Sequence, residues 1–175
     1  LASYKKLRER LAEGVRHVTI LGAGLIGCEF AEDLSNTGFK VTMVDPARQP
    51  LSGLLPDVLS HQLMDTLQSK GVVWHLETTL RSLEQQNENL VAKLSDGNKI
   101  QTDLVLSAAG LIANTSLAEK IGLETDRGIA VNHDMQTSHP DIYAIGDCAS
   151  LNGEVFAYIE PIRRQAEAIA ASISG

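Results

Sequence analysis

"VTILGAGLIGCEFAEDL", residues 18–34, decides the fold. It passes from β-branched apolar residues, through three glycines, into a stretch with helical spacing. Glycine weakens strands and helices alike, so Gly22, Gly24 and Gly27 stand where a backbone turns sharply or is closely approached. Taken alone, such a run also describes an ordinary strand-to-helix turn, and its meaning depends on the residues C-terminal to it. "FKVTMVD" (39–45) reads as a second strand and ends in Asp45, 18 residues beyond Gly27. That spacing is close to the ~20 residues expected between the last glycine of a dinucleotide fingerprint and its ribose-binding acid.

Each glycine then has a separate task. Gly22 makes the tight turn, Gly24 lets the backbone approach a pyrophosphate, and Gly27 brings helix against sheet. The helix opening at Leu25 turns free N–H groups and a partial positive charge toward the ligand. The Asp45 carboxylate accepts from both ribose hydroxyls and repels a 2′-phosphate, so NADH is the expected nucleotide; Arg48 is a mild counter-signal. The expected nucleotide set is therefore Gly22, Ala23, Gly24, Leu25, Ile26, Gly27, Asp45 and Arg48. Glu29 is the acid nearest the nicotinamide half, though more simply a polar residue of the first helical turns.

Outward from this core, residues 3–13 form a helix through Tyr4, Leu7 and Leu11, stopped at Gly14. "VRHVTIL" (15–21) is a buried strand, and helix runs from Leu25 to Thr37 with Gly38 beyond its end. Pro56 opens a second helix ending at Lys70, and "VVWHLE" (72–77) is a third strand. The order β-α-β-α-β implies a parallel sheet with crossover helices. Short alternating runs around Asn87 and the Asp96-Gly97 turn then predict an antiparallel meander. "DLVLSAAG" (103–110) is a further buried strand, 116–122 a short helix, "RGIAV" (127–131) and "DIYAIGD" (141–147) strands, and Pro161–Ile173 an amphipathic helix.

Composition bounds the function. The 175 residues, 43% hydrophobic and 21% charged, suit one domain or one domain with part of another. A net charge of −7 disfavours nucleic acid as a partner. The basic residues Lys5, Lys6, Arg8 and Arg10 are interrupted by Glu9 and Glu13, as on a solvated helix face. No apolar run reaches the ~20 residues of a membrane span, and "LASYKKLRERLAEG" lacks a signal-peptide core; a cytoplasmic protein without membrane contact is expected. Cys28 and Cys148 form no C-x-x-C pair. His17, His61, His75, His133 and His139 are scattered without zinc-ligand spacing, so no metal site is expected.

The blocks "VTILGAGLIGCEFAEDL", "LSDGNKIQTDLVLSAAG", "RGIAVN", "TSHPDIYAIGDCA" and "EPIRRQAEAIA" together resemble the FAD-dependent pyridine nucleotide–disulfide oxidoreductases over nearly all of residues 15–175. Within that family the chain is most similar to NADH-dependent rubredoxin reductases, with ferredoxin reductases and NADH oxidases close behind. The resemblance implies FAD and NAD as cofactors and a small electron-transfer protein such as rubredoxin as partner. It also implies a Rossmann-like three-layer NAD-binding domain with the meander (15–122), a linking helix (1–14) and a remnant of a second, FAD-binding Rossmann-like domain (123–175). By the same resemblance Asp147 meets the FAD ribityl chain, with Gly146 allowing close passage and the aspartate buried. Ala109 and Gly110, and Glu160 and Pro161 at the start of the last helix, join the cofactor contacts.

Two departures accompany the resemblance. Ala113 replaces the proline of the family's "A-x-G-x-x-P-N" block, and G-x-G-x-x-G occurs once where the family has two. The resemblance implies that the second, FAD-pyrophosphate loop precedes residue 1 and that an interface domain follows residue 175. No protein acid, base or nucleophile is nominated as catalytic, and neither cysteine is expected to be redox-active. The rival readings are a flavin-free NAD-dependent dehydrogenase and a nucleotide-sensing module.

Overall fold

The computed structural model describes residues 2–86 and 89–174. The chain divides into two compact units, one running to Gly110 and the other from Leu111. Asn87, around which the meander runs are read, lies outside the described residues.

The first unit opens with helix α1 (Ala2–Ala12) and is built on β1 (His17–Leu21), β2 (Lys40–Val44), β3 (Val73–His75) and β7 (Leu104–Ser107). These four strands lie parallel in the order β3-β2-β1-β7. Helix α2 (Leu25–Asn36) joins β1 to β2, and α3 (Asp57–Ser69) joins β2 to β3. β1 and β2 are rich in Val, Ile and Thr because a parallel strand covered on both faces has no solvent side to make polar. The side-chain period of two then separates the core into two parts.

Val18, Ile20, Val41 and Met43 pack with Ala31 and Leu34 of α2 and Leu67 of α3. Leu21 and Val44, of opposite parity, pack with Leu80, Ala92, Leu94 and Ile100. The latter residues belong to an antiparallel sheet of β4 (Leu80–Gln86), β5 (Asn89–Leu94) and β6 (Lys99–Thr102). The result is a three-layer α/β unit with helices on one sheet face and the meander on the other. Asp103 ties the start of β1 to the β6–β7 corner: its Oδ2 accepts from the amides of Arg16 and His17, each at 2.8 Å. Those two bonds hold its carboxyl below the usual aspartate range.

The second unit contains α4 (Ser116–Lys120), a parallel pair of β8 (Ile129–Val131) and β9 (Ala149–Leu151), and α5 (Ile159–Ser174). Residues 111–122 thus group with the C-terminal residues, whereas the resemblance implies a division after 122. The segment after α4 is tied forward, with the Ala130 amide donating to Glu124 O and the Glu124 amide to Ser138 Oγ.

Three expectations change here. β7 is shorter than 103–110 and only half-buried. Residues 141–147 form no strand: Ile142 O accepts from Thr137 N and the Ala144 amide donates to Met135 O. This local pairing leaves one isolated bridge, Gln136 to Tyr143. Met135 at φ +62 bends its partner segment, so no ladder extends from the bridge. Finally, α5 begins at Ile159, two residues before Pro161. Proline is tolerated there because a first-turn N–H has no intrahelical acceptor. Among the described residues no helix is long and apolar enough to cross a membrane.

Candidate functional site

The glycine loop lies where β1 ends between β2 and β7, at the point where strand order reverses and α/β sheets bind ligands. Its three glycines answer to different neighbours. Gly22 has φ +105, and a Cβ there would sit 2.5 Å from the carbonyl oxygen of Ala108. A Cβ on Gly27 would lie 2.0 Å from the Gly22 carbonyl oxygen. Packing within the chain therefore demands both. Gly24 differs: it is exposed, and an added Cβ meets nothing within 4 Å. No contact among the described residues explains its missing side chain, whereas a ligand laid against the backbone would.

Gly24 is the N-cap of α2, makes no side-chain cap hydrogen bond, and no acid occupies the first turn. Intrahelical bonding starts with the Cys28 amide donating to Gly24 O at 3.0 Å. The amides of Gly24, Leu25, Ile26 and Gly27 therefore have no intrahelical acceptor. Four donors at a positive helix end, beside an open backbone, fit a nucleotide pyrophosphate. Leu25 and Ile26 are exposed at the same end (43% and 57%), and Glu29 is exposed one turn further along.

Asp45 follows the last residue of β2 and closes on this loop. Its Oδ2 accepts from the Ala23 amide at 2.6 Å and its Oδ1 from the Ala47 amide at 2.7 Å. The buried Ala23 also accepts, through its carbonyl, from the Leu51 amide at 2.9 Å. Both polar backbone atoms of Ala23 are thus held by the 45–51 loop. The carboxylate keeps unused lone pairs at the rim, as a ribose diol requires. Arg48, the counter-signal, is engaged elsewhere: its Nη2 lies 3.1 Å from Asp57 Oδ2. Ala109 and Gly110 are exposed at the end of β7, the Ala109 nitrogen lying 3.0 Å from where a Gly22 Cβ would stand.

Cys28 is buried within this region, and burial, followed by the Asp45 charge, pushes its thiol up to about 11. The helix-start effect that lowers thiol pKa values is outweighed, because desolvation penalises the thiolate.

In the second unit Gly146, Asp147 and Cys148 form a single 3₁₀ turn rather than a strand end. Gly146 has φ +77, and its amide donates to Oε1 of the buried Gln165 on α5 at 2.8 Å. The Asp147 side chain is exposed, against the expectation of a buried aspartate. The turn's anchor is the Gly146 amide, which leaves the next side chain outside. Glu160 pairs with Arg164 across one helical turn, 2.9 Å apart. A cavity of about 400 Å³ reaches Glu160 and Pro161, together with Met135, Leu151 and Phe156, but Asp147 does not line it. Gln165 anchors the Gly146 turn, and Asp57, outside the Asp45 clamp, accepts from Arg48 and Gln49. Nothing in the sequence announces the three roles, apart from the polar residue at a buried helix position that marks Gln165.

Residues 1–173 match the pyridine nucleotide-disulphide oxidoreductase family, and the chain belongs to it. It is 44% identical over its whole length to the rubredoxin-NAD(+) reductase of Alcanivorax borkumensis. It is also 39% identical over its whole length to the nitric oxide reductase FlRd-NAD(+) reductase of Vibrio vulnificus. It spans 46% of each of those relatives. Among solved structures, a ferredoxin reductase from Rhodopseudomonas palustris superposes with TM-score 0.86 at 31% identity, over 98% of this chain and 44% of that one.

Proposed function

We propose that the chain is the nucleotide-binding portion of an NADH-dependent flavoprotein reductase that delivers electrons to a small redox protein, rubredoxin foremost. The observation that carries this reading is the Asp45 carboxylate bound to the Ala23 amide at 2.6 Å, beside an exposed Gly24 at the uncapped start of α2. Membership of the family and the reductase names of the relatives support the same assignment. The first unit binds NADH: the α2 amides take the pyrophosphate, Asp45 takes the ribose, and Ala109 and Gly110 line the far side of the crevice. The second unit contributes to flavin binding through Gly146, Asp147, Glu160 and Pro161, with Asp147 free to accept from ribityl hydroxyls.

The redox chemistry is supplied by NADH and FAD when bound. This chain's residues position them, and none is assigned a proton-transfer step. The test is steady-state NADH oxidation by the longer protein that contains this chain, with rubredoxin as acceptor and visible flavin absorption recorded in parallel. Turnover dependent on both flavin and rubredoxin is expected. A protein without flavin that still oxidises NADH would overturn the proposal.

A further inference from the structure

We propose that Asp57, the first residue of α3, is a specificity-determining residue that draws Arg48 away from the nucleotide and so favours NADH over NADPH. The inference rests on the nucleotide reading above and deepens it. Arg48 lies three residues after Asp45, inside the loop that Ala23 holds at both ends through Asp45 and Leu51. A guanidinium so placed is chemically suited to a 2′-phosphate, which it can meet bidentately. Its charge therefore opposes the selectivity that the Asp45 carboxylate provides.

Asp57 answers that charge. Its Oδ2 accepts from Arg48 Nη2 at 3.1 Å, and its Oδ1 accepts from Gln49 Nε2 at 2.8 Å. Gln49 is only 5% exposed, so the aspartate is oriented by a side chain fixed in the interior. The ion pair itself is open to solvent, with 68% of the Arg48 and 63% of the Asp57 side chain accessible. Such a pair competes with a phosphate for the guanidinium rather than locking it. The device is a bias, not a block.

The experiment titrates NADH and NADPH separately, by calorimetry, into the parent chain, Asp57→Asn and the double variant Arg48→Ala/Asp57→Asn. Asparagine still accepts from Gln49 but carries no charge. Because an exposed pair is a weak competitor, Asp57→Asn is expected to bind NADPH about two- to fivefold tighter. NADH affinity should stay within about twofold, since Asp57 bonds to Arg48 and Gln49 rather than to the Asp45 clamp. The double variant should lose the NADPH gain. An unchanged NADPH affinity in Asp57→Asn, or a gain that survives removal of Arg48, would overturn the proposal while leaving NADH binding intact. Absence of NADH binding to all three proteins would overturn the nucleotide reading and this inference with it.

Discussion

The glycine loop and the Gly146–Asp147 turn carry the same residue types, a glycine with positive φ beside an aspartate, yet they are built differently. At the loop the aspartate is part of the structure. Asp45 accepts from two backbone amides, and two of the three glycines are required by carbonyls of the chain itself. At the turn the Gly146 amide donates to Gln165 and the Ala149 amide to Gly146 O, while Asp147 stands exposed. The difference teaches which site is self-contained. The loop presents a pre-formed set of donors and a positioned acid, so a nucleotide bound there as proposed would carry little reorganisation cost. The turn offers an acceptor without a surrounding frame.

The comparison breaks most visibly at the glycines. Gly27→Ala places a methyl 2.0 Å from a backbone oxygen, and the loop should lose about 3 kcal/mol or more of stability, at or beyond the upper range for overpacking. Gly146→Ala meets only Ile162 side-chain atoms at 3.7 Å and 3.8 Å, so its cost should be the left-handed strain alone, about 1–2 kcal/mol. Urea unfolding of both variants measures the gap, and equal losses would show that the two sites are built alike. Next in size, Asp45→Ala should weaken NADH binding by about 1.5–3 kcal/mol, the range for a hydrogen bond to a charged group. It should also narrow the preference over NADPH. An unchanged NADH/NADPH ratio would remove Asp45 from the ribose.

The cysteines sharpen the contrast. A Cys28 thiol raised from 9.0 to about 11 holds about a hundredfold less thiolate, partly offset by greater nucleophilicity, for a net slowing of about tenfold before burial is counted. Mass spectrometry after iodoacetamide treatment of the native chain should therefore find Cys148 modified well ahead of Cys28. The reverse order would contradict the packing around the loop. The smallest effect concerns Asp103. Its carboxyl is lowered in the folded state, so it stabilises the fold at neutral pH, and that contribution fades as pH falls through the ordinary aspartate range toward the lowered value. Asp103→Asn should cost about 1 kcal/mol near neutrality, and the difference from the parent should shrink on acidification. Denaturant midpoints at two pH values check the sign.

The sequence is most readable where the physics is local. Gly22, Gly24, Gly27 and Asp45 are legible because a strand, a tight turn and a helix start impose their spacing within one contiguous stretch. α2 and α3 are legible through their apolar periodicity and their Gly and Pro borders. The 141–147 segment has a composition that suits a strand, while its backbone partners, Met135 and Thr137, impose irregular pairing that composition does not show. The resemblance implies a buried Asp147, whereas its exposure here depends on how Gln165 draws in the preceding amide. The Asp57–Arg48 pair lies beyond reach because it joins a loop to a helix start, a contact that no periodicity announces.

As proposed, the first unit contains a complete nucleotide site, with Gly24 as its open floor. Calorimetric titration of NADH into the 175-residue chain and its Gly24→Val variant, with circular dichroism recorded on both, tests it most directly. Since nothing lies within 4 Å of a Cβ at Gly24, the variant should fold with unchanged helix content. The parent chain should bind one NADH, and the variant none that is measurable. Equal NADH affinity in both proteins, or no binding by a folded parent, would contradict it.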